Sequence, residues 1–169
     1  MRRGLNALYD LAATLAAVCM VALLGAVLLS IVSRLLGFNV SGLDSYAGYL
    51  MAATGFLALA HTLKKGEHIR VTLVIQGLGQ RARHRFELWA LALASLLALL
   101  LAFYSVRLAW QSWQFNDIST GNDATPLWLP QLGMAAGAVV FAIAFIDELA
   151  LQWLGRRPDL VSGEMLRNE

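Results

Sequence analysis

Charge is scarce in this chain. Only 14% of its 169 residues are Asp, Glu, Lys or Arg, and mean hydropathy is +0.62. A soluble domain of this length needs far more charge to cover its surface, which excludes a water-shielded globule. Cysteine is nearly absent too. Cys19 stands alone in an apolar run, so a disulfide framework and a CxxC redox pair are both excluded, and its expected role is that of a small buried hydrophobe. Proline is equally sparse, and Pro130 lies near the start of its apolar run, so no run is broken in its middle.

What is abundant is apolar sequence, 59% of the chain. A bilayer core of about 30 Å needs roughly 20 apolar residues at 1.5 Å per residue. Four stretches meet that length, at about 11–33, 45–63, 88–113 and 127–146. They predict an all-α membrane protein, a single four-helix domain over residues 1–169. The first stretch follows Arg2 and Arg3, as a signal peptide would, but it is about twice the usual h-region length and no small-residue cleavage site follows. It is expected to stay as an anchor.

The basic residues assign an orientation. Arg2 and Arg3 precede the first span, and Lys64, Lys65, Arg70, Arg81, Arg83 and Arg85 lie between the second and third. Arg156, Arg157 and Arg167 follow the fourth. By the positive-inside rule both termini and the middle loop are cytoplasmic. The outer loops instead carry Asp44, Asp117 and Asp123. Arg34 and Arg107, at the far ends of their spans, can snorkel to lipid phosphates or meet a partner protein. Trp110, Trp113 and Trp128 mark the outer interface, and Trp89 and Trp153 the inner one. Thr125 and Pro126 suit the N-cap and first turn of the fourth helix, and Pro130 makes that helix bend or begin later.

In the middle loop, Val71, Val74, Ile75 and Leu78 recur at i, i+3, i+4 and i+7 between basic flanks. This predicts a short amphipathic helix lying in the interface, an arm over about 69–79. Packing faces are expected where small residues recur four apart: Ala90, Ala94, Ala98 and Ala102 in the third span, Gly133 and Gly137 in the fourth, Gly48 and Ala52 in the second.

The chemistry is mostly an absence. Apart from Arg34 and Arg107 at segment ends, the four stretches hold no Asp, Glu, Lys or Arg. Ion-coupled transporters place an ionisable group or a broken helix near the midplane. A haem site would need two facing histidines, whereas His61, His68 and His84 all gather near the cytoplasmic side. No catalytic triad, metal cluster or phosphate loop has meaningful spacing, so no catalytic residue, cofactor or metal is assigned. Topology accounts for the basic residues, so nucleic acid is not an expected partner.

Three motifs carry a family resemblance. They are Lys65-Gly66-Glu67-His68-Ile69-Arg70-Val71 after the second span, Asp44-Ser45-Tyr46-Ala47-Gly48-Tyr49-Leu50-Met51 opening it, and Ala124-Thr125-Pro126-Leu127-Trp128-Leu129-Pro130-Gln131 opening the fourth. In order and in length, nearly the whole chain resembles the DctQ-type small membrane subunit of tripartite ATP-independent periplasmic (TRAP) transporters. Many members carry an acidic pair before the second span, whereas here Asp44 is followed by Ser45.

The resemblance implies a bacterial inner-membrane protein without enzymatic activity. It implies a sodium-coupled system importing organic acids, C4-dicarboxylates or related carboxylates, in which a periplasmic binding protein delivers substrate to a large multi-span subunit. The small subunit would brace the large one and bear on docking of the binding protein. Residues expected at a subunit or lipid interface are then Arg34, Asp44, Gly66, Glu67, His68, Arg70, Arg107, Trp128, Gly133 and Gly137. Two other classes remain open, a free-standing four-helix transporter and a cofactor-bearing membrane enzyme subunit.

With Cys19 replaced by serine, single cysteines at Gln80 and Asn122 test the orientation. An impermeant thiol reagent applied to spheroplasts should label only position 122, and labelling at 80 would overturn it.

Overall fold

The computed structural model describes residues 2–38, 40–65, 80–121 and 123–154. Four α-helices account for most of them: α1 (Arg2–Leu35), α2 (Leu43–Lys65), α3 (Gln80–Gln114) and α4 (Trp128–Trp153). At 1.5 Å per residue, α1 and α3 are each about 50 Å long, well beyond the hydrocarbon core, whereas α2 is about 35 Å. Three helices, α1, α3 and α4, are long and apolar enough to cross a membrane. The second helix is long enough, but Tyr46, Tyr49, Thr54, His61 and Thr62 dilute its apolar character. The predicted arm, with Gly66, Glu67, His68 and Arg70, lies outside the described residues.

Helix ends follow local chemistry. Gly37, at φ +73, closes α1 as the Phe38 N–H donates to the Ser33 carbonyl at 3.0 Å. Asn116, at φ +52, ends α3 in the same way, with the Asp117 N–H on the Ser112 carbonyl. Both are Schellman turns, which need a residue tolerant of the left-handed region. At the other boundary α4 starts at Trp128, later than Thr125-Pro126 suggested, with Leu127 at the N-cap position. Pro126 is held in a bridge with Ile118. Pro130 therefore falls within the first helical turn, where its missing N–H costs nothing.

The helices stand in a row ordered α1, α2, α4, α3, each packed on its neighbours, with only a minor contact between α1 and α4. Chain direction makes α1 antiparallel to α2, and α3 antiparallel to α4. The central pair, α2 and α4, runs parallel. Alanine supplies most buried apolar positions, while large apolar side chains, leucine foremost, face outward from α1, α3 and α4, and α2 exposes Tyr46 and Met51. This is the reverse of a soluble protein. Lipid satisfies large apolar side chains as well as a core would, so small residues are reserved for helix contacts.

On α3 the buried line is Ser95, Ala98, Ala102, Ser105, Ala109 and Ser112, alternating steps of three and four. It meets Ala138 and Ala142 of α4. The stripe of alanines every fourth residue is only partly used: Ala98 and Ala102 are buried, but Ala90 is exposed. A strict step of four drifts about 40° around the helix each time, whereas a mean step of 3.5 stays on one seam.

Gly133 and Gly137 lie in the contact between α4 and α2, inside the chain. A Cβ on Gly137 would come 2.5 Å from the Phe56 backbone carbon, and one on Gly133 would meet the Ala53 Cβ at 3.1 Å. The two positions should therefore respond differently. Gly137→Ala forces the backbones apart and should destabilise the protein by about 1–3 kcal/mol, as overpacking does, while Gly133→Ala should cost much less. Unfolding by SDS titration in mixed micelles measures both, and equal losses would refute the close approach at Gly137.

Candidate functional site

Polar side chains collect at the two ends of the row. One end holds the turns 36–42 and 115–127, and is called the hairpin end. The other, where α1 and α3 begin and α2 and α4 finish, is called the terminal end.

At the terminal end the α2–α4 contact closes on an ion cluster. Lys64 of α2 pairs with Asp147 and, at 3.0 Å, with Glu148, both on α4. All three are mostly buried, with side-chain exposures of 18%, 24% and 11%. Tyr9 of α1 joins them, its ring centroid 5.3 Å from Lys64 Nζ. Tyr9 also packs with Ala60, Leu63 and Ala144 in a small apolar cluster. Further contacts extend the line of polar groups in both directions. His61 Nδ1 lies 3.8 Å from Asp10 Oδ1 on the α1 side. Towards α3, Gln152 Nε2 donates to Glu87 Oε2 at 3.0 Å and lies 3.3 Å from His84 Nδ1. One polar belt thus ties all four helices together.

The hairpin end is held by hydrogen bonds. Asp123 accepts from the Tyr49 hydroxyl at 3.0 Å and from Ser119 Oγ at 2.9 Å. Thr125 Oγ1 donates to the Tyr46 hydroxyl at 3.2 Å. Desolvation opposes the Asp123 charge, but the hydrogen bonds from Thr125, Ser119, Tyr49 and its own backbone outweigh it and hold the carboxyl well below the usual carboxylate range. Its contribution to docking is therefore complete above the unfolded value near 4 and is lost only as pH falls from there towards the depressed folded value. Gly42, at φ +83, sits so close that a Cβ would come 2.7 Å from the Asp123 Cβ. The loop before α4 is thereby clamped onto the start of α2.

The interface residues expected from the sequence are scattered. Arg34 and Asp44 come together across the α1–α2 turn, Nη2 to Oδ2 at 3.5 Å, both well exposed. Ser30 Oγ lies 3.4 Å from the other Asp44 oxygen. Arg107 is exposed on α3, at the far edge of the row, near the tilted ring pair Trp110 and Trp113. Trp128 is half-buried in the first turn of α4. Gly133 and Gly137 are covered by α2.

Sequence reasoning missed the terminal-end cluster. Asp147 and Glu148 fall just past the apolar run ending at 146, yet α4 continues to Trp153 and buries Glu148 and Gln152. The available signal was charge matching: Lys64-Lys65 ends one apolar run and Asp147-Glu148 ends another. Among the described residues, no group of three or more His, Cys, Asp or Glu could hold a metal ion. The polar groups here brace helices.

Removing Lys64 leaves two mostly buried carboxylates facing each other. Lys64→Met should destabilise the protein by about 3–5 kcal/mol, as loss of one buried partner does, and adding Glu148→Gln should restore part of it. A calorimetric or SDS-titration double-mutant cycle reads the coupling, and additive losses would show that the groups do not interact.

A protein-family model described as "Tripartite ATP-independent periplasmic transporters, DctQ component" matches residues 23–155. Comparison with curated proteins gives no match.

Proposed function

Because this chain belongs to the DctQ family, the small membrane component of tripartite ATP-independent periplasmic transporters, we propose that it is a non-transporting brace for the large membrane subunit of such a system. The family works with that large subunit and with a periplasmic binding protein. In this reading all four helices cross the bacterial inner membrane with both termini in the cytoplasm, and the segment over 69–79 lies as an interfacial arm. The partnered system uses sodium to import an organic acid, a C4-dicarboxylate or related carboxylate.

The observation that carries this reading is the row itself. Among the described residues the helices stand side by side, with α1 meeting α4 only marginally, and enclose no central path. The seams between them are filled by alanine, serine and glycine in close contact, an arrangement suited to rigidity more than to a water-filled route. Among the described residues, buried charge is confined to the terminal end, where it is paired across helices, whereas a coupling site is expected near the midplane. Two broad apolar faces remain for lipid and for a partner.

The test is reconstitution into liposomes with a sodium gradient and the cognate binding protein. Uptake should require this chain and its large subunit together. Sodium-dependent uptake by this chain alone would sink the bracing role and favour a free-standing transporter.

A further inference from the structure

The α1–α2 turn carries a feature that bracing between helices does not need. Arg34 and Asp44 face each other over an open cavity of about 180 Å³, rimmed by Ser30, Ser33, Gly42 and Ser45. Their closest approach is 3.5 Å, and Ser30 reaches Asp44 at 3.4 Å. A tight ion pair shortens to about 2.7–2.9 Å, so this pair is loose, and with side-chain exposures of 75% and 82% both groups stay accessible from the cavity. Arg34 is held by the last turn of α1, and Asp44 by the first turn of α2. The Schellman turn at Gly37 and the docking of Gly42 against Asp123 fix the hairpin that presents them. Beside the cavity the surface becomes strongly apolar: Leu35 and Leu36 are 81% and 70% exposed.

We propose that this cavity binds the headgroup of a phospholipid bearing both a phosphodiester and a primary ammonium, as in phosphatidylethanolamine. Arg34 meets the phosphate, Asp44 meets the ammonium, and Leu35 and Leu36 lie along the acyl chains. An Arg side chain at the end of a long apolar helix reaches the phosphate level by snorkelling. A lone cation there would accept any phospholipid. The adjacent carboxylate adds the discrimination: it repels a purely anionic headgroup, and a primary ammonium can donate hydrogen bonds to it that a quaternary one cannot. This site rests on the hairpin end lying at headgroup level, as proposed above, but it is independent of the bracing role.

The test reads bound lipid and not uptake, so its failure leaves the bracing role untouched. The full chain, co-expressed with its large subunit, is equilibrated in nanodiscs holding equal parts of phosphatidylethanolamine, phosphatidylglycerol and phosphatidylcholine. Retained lipid is then counted by native mass spectrometry. The unmodified protein should retain phosphatidylethanolamine preferentially, and Arg34→Gln should weaken that retention about tenfold, the loss of one charge-assisted contact. Asp44→Asn should keep phosphate binding but lose the preference over phosphatidylglycerol. This second variant decides the matter should Arg34→Gln fail to assemble. Arg85→Gln, an equal charge loss at the terminal end of α3, should leave the ratio unchanged. Equal retention of the three lipids by the unmodified protein, or an unaltered ratio in Asp44→Asn, would overturn the proposal.

Discussion

The close parallel approach of α2 and α4 is the contact on which the remaining architecture depends. In a bilayer two helices gain nothing by hiding leucine from lipid, so association requires backbones near enough for dispersion to accumulate. Gly137 against the Phe56 backbone supplies that proximity. Parallel neighbours cannot be joined by a tight turn, so the chain crosses away through α3 and returns through the loop 115–127. That detour sets the row order. It also brings Asp123 onto Tyr49 and Gly42, since the loop must deliver α4 beside the start of α2.

Polar interactions act where the apolar seam ends. The Lys64 cluster lies at one end of the α2–α4 contact and the Asp123 hydrogen bonds at the other. Between them runs a seam in which small residues bring the backbones together. Dispersion fixes the distance between helices but tolerates sliding. Directional pairs at both ends oppose sliding, because each has a single register in which the charges and hydroxyls meet. The α3–α4 contact follows the same logic, with a serine and alanine seam ended by Gln152 against Glu87 and His84. A row built in this way resists sliding along the helix axes while leaving both of its faces open.

The resemblance drawn from the motifs around Asp44, Gly66–Val71 and Trp128 agrees with the family match over residues 23–155. Motifs of this kind are local, and the chain order preserves them whatever the helices do in space. The candidate interface residues were less readable. The glycine pair was visible as spacing, but nothing in the spacing said that α2 would occupy it.

What the sequence determined by itself were the one-dimensional properties: the helical class, the long apolar segments, and the local motifs that open α2 and α4. Each depends on residues within a turn or two of one another, through backbone sterics and transfer of side chains into lipid. What only the tertiary structure decided was who faces whom. The row order, the choice of Ser95–Ser112 over the alanine stripe, and the pairing of Lys64 with Asp147 and Glu148 across more than 80 positions all follow from how the helices rotate and pair. Rotation and pairing are set by the summed packing of four helices at once. No single helix contains that sum, so no pattern within one segment could have disclosed it.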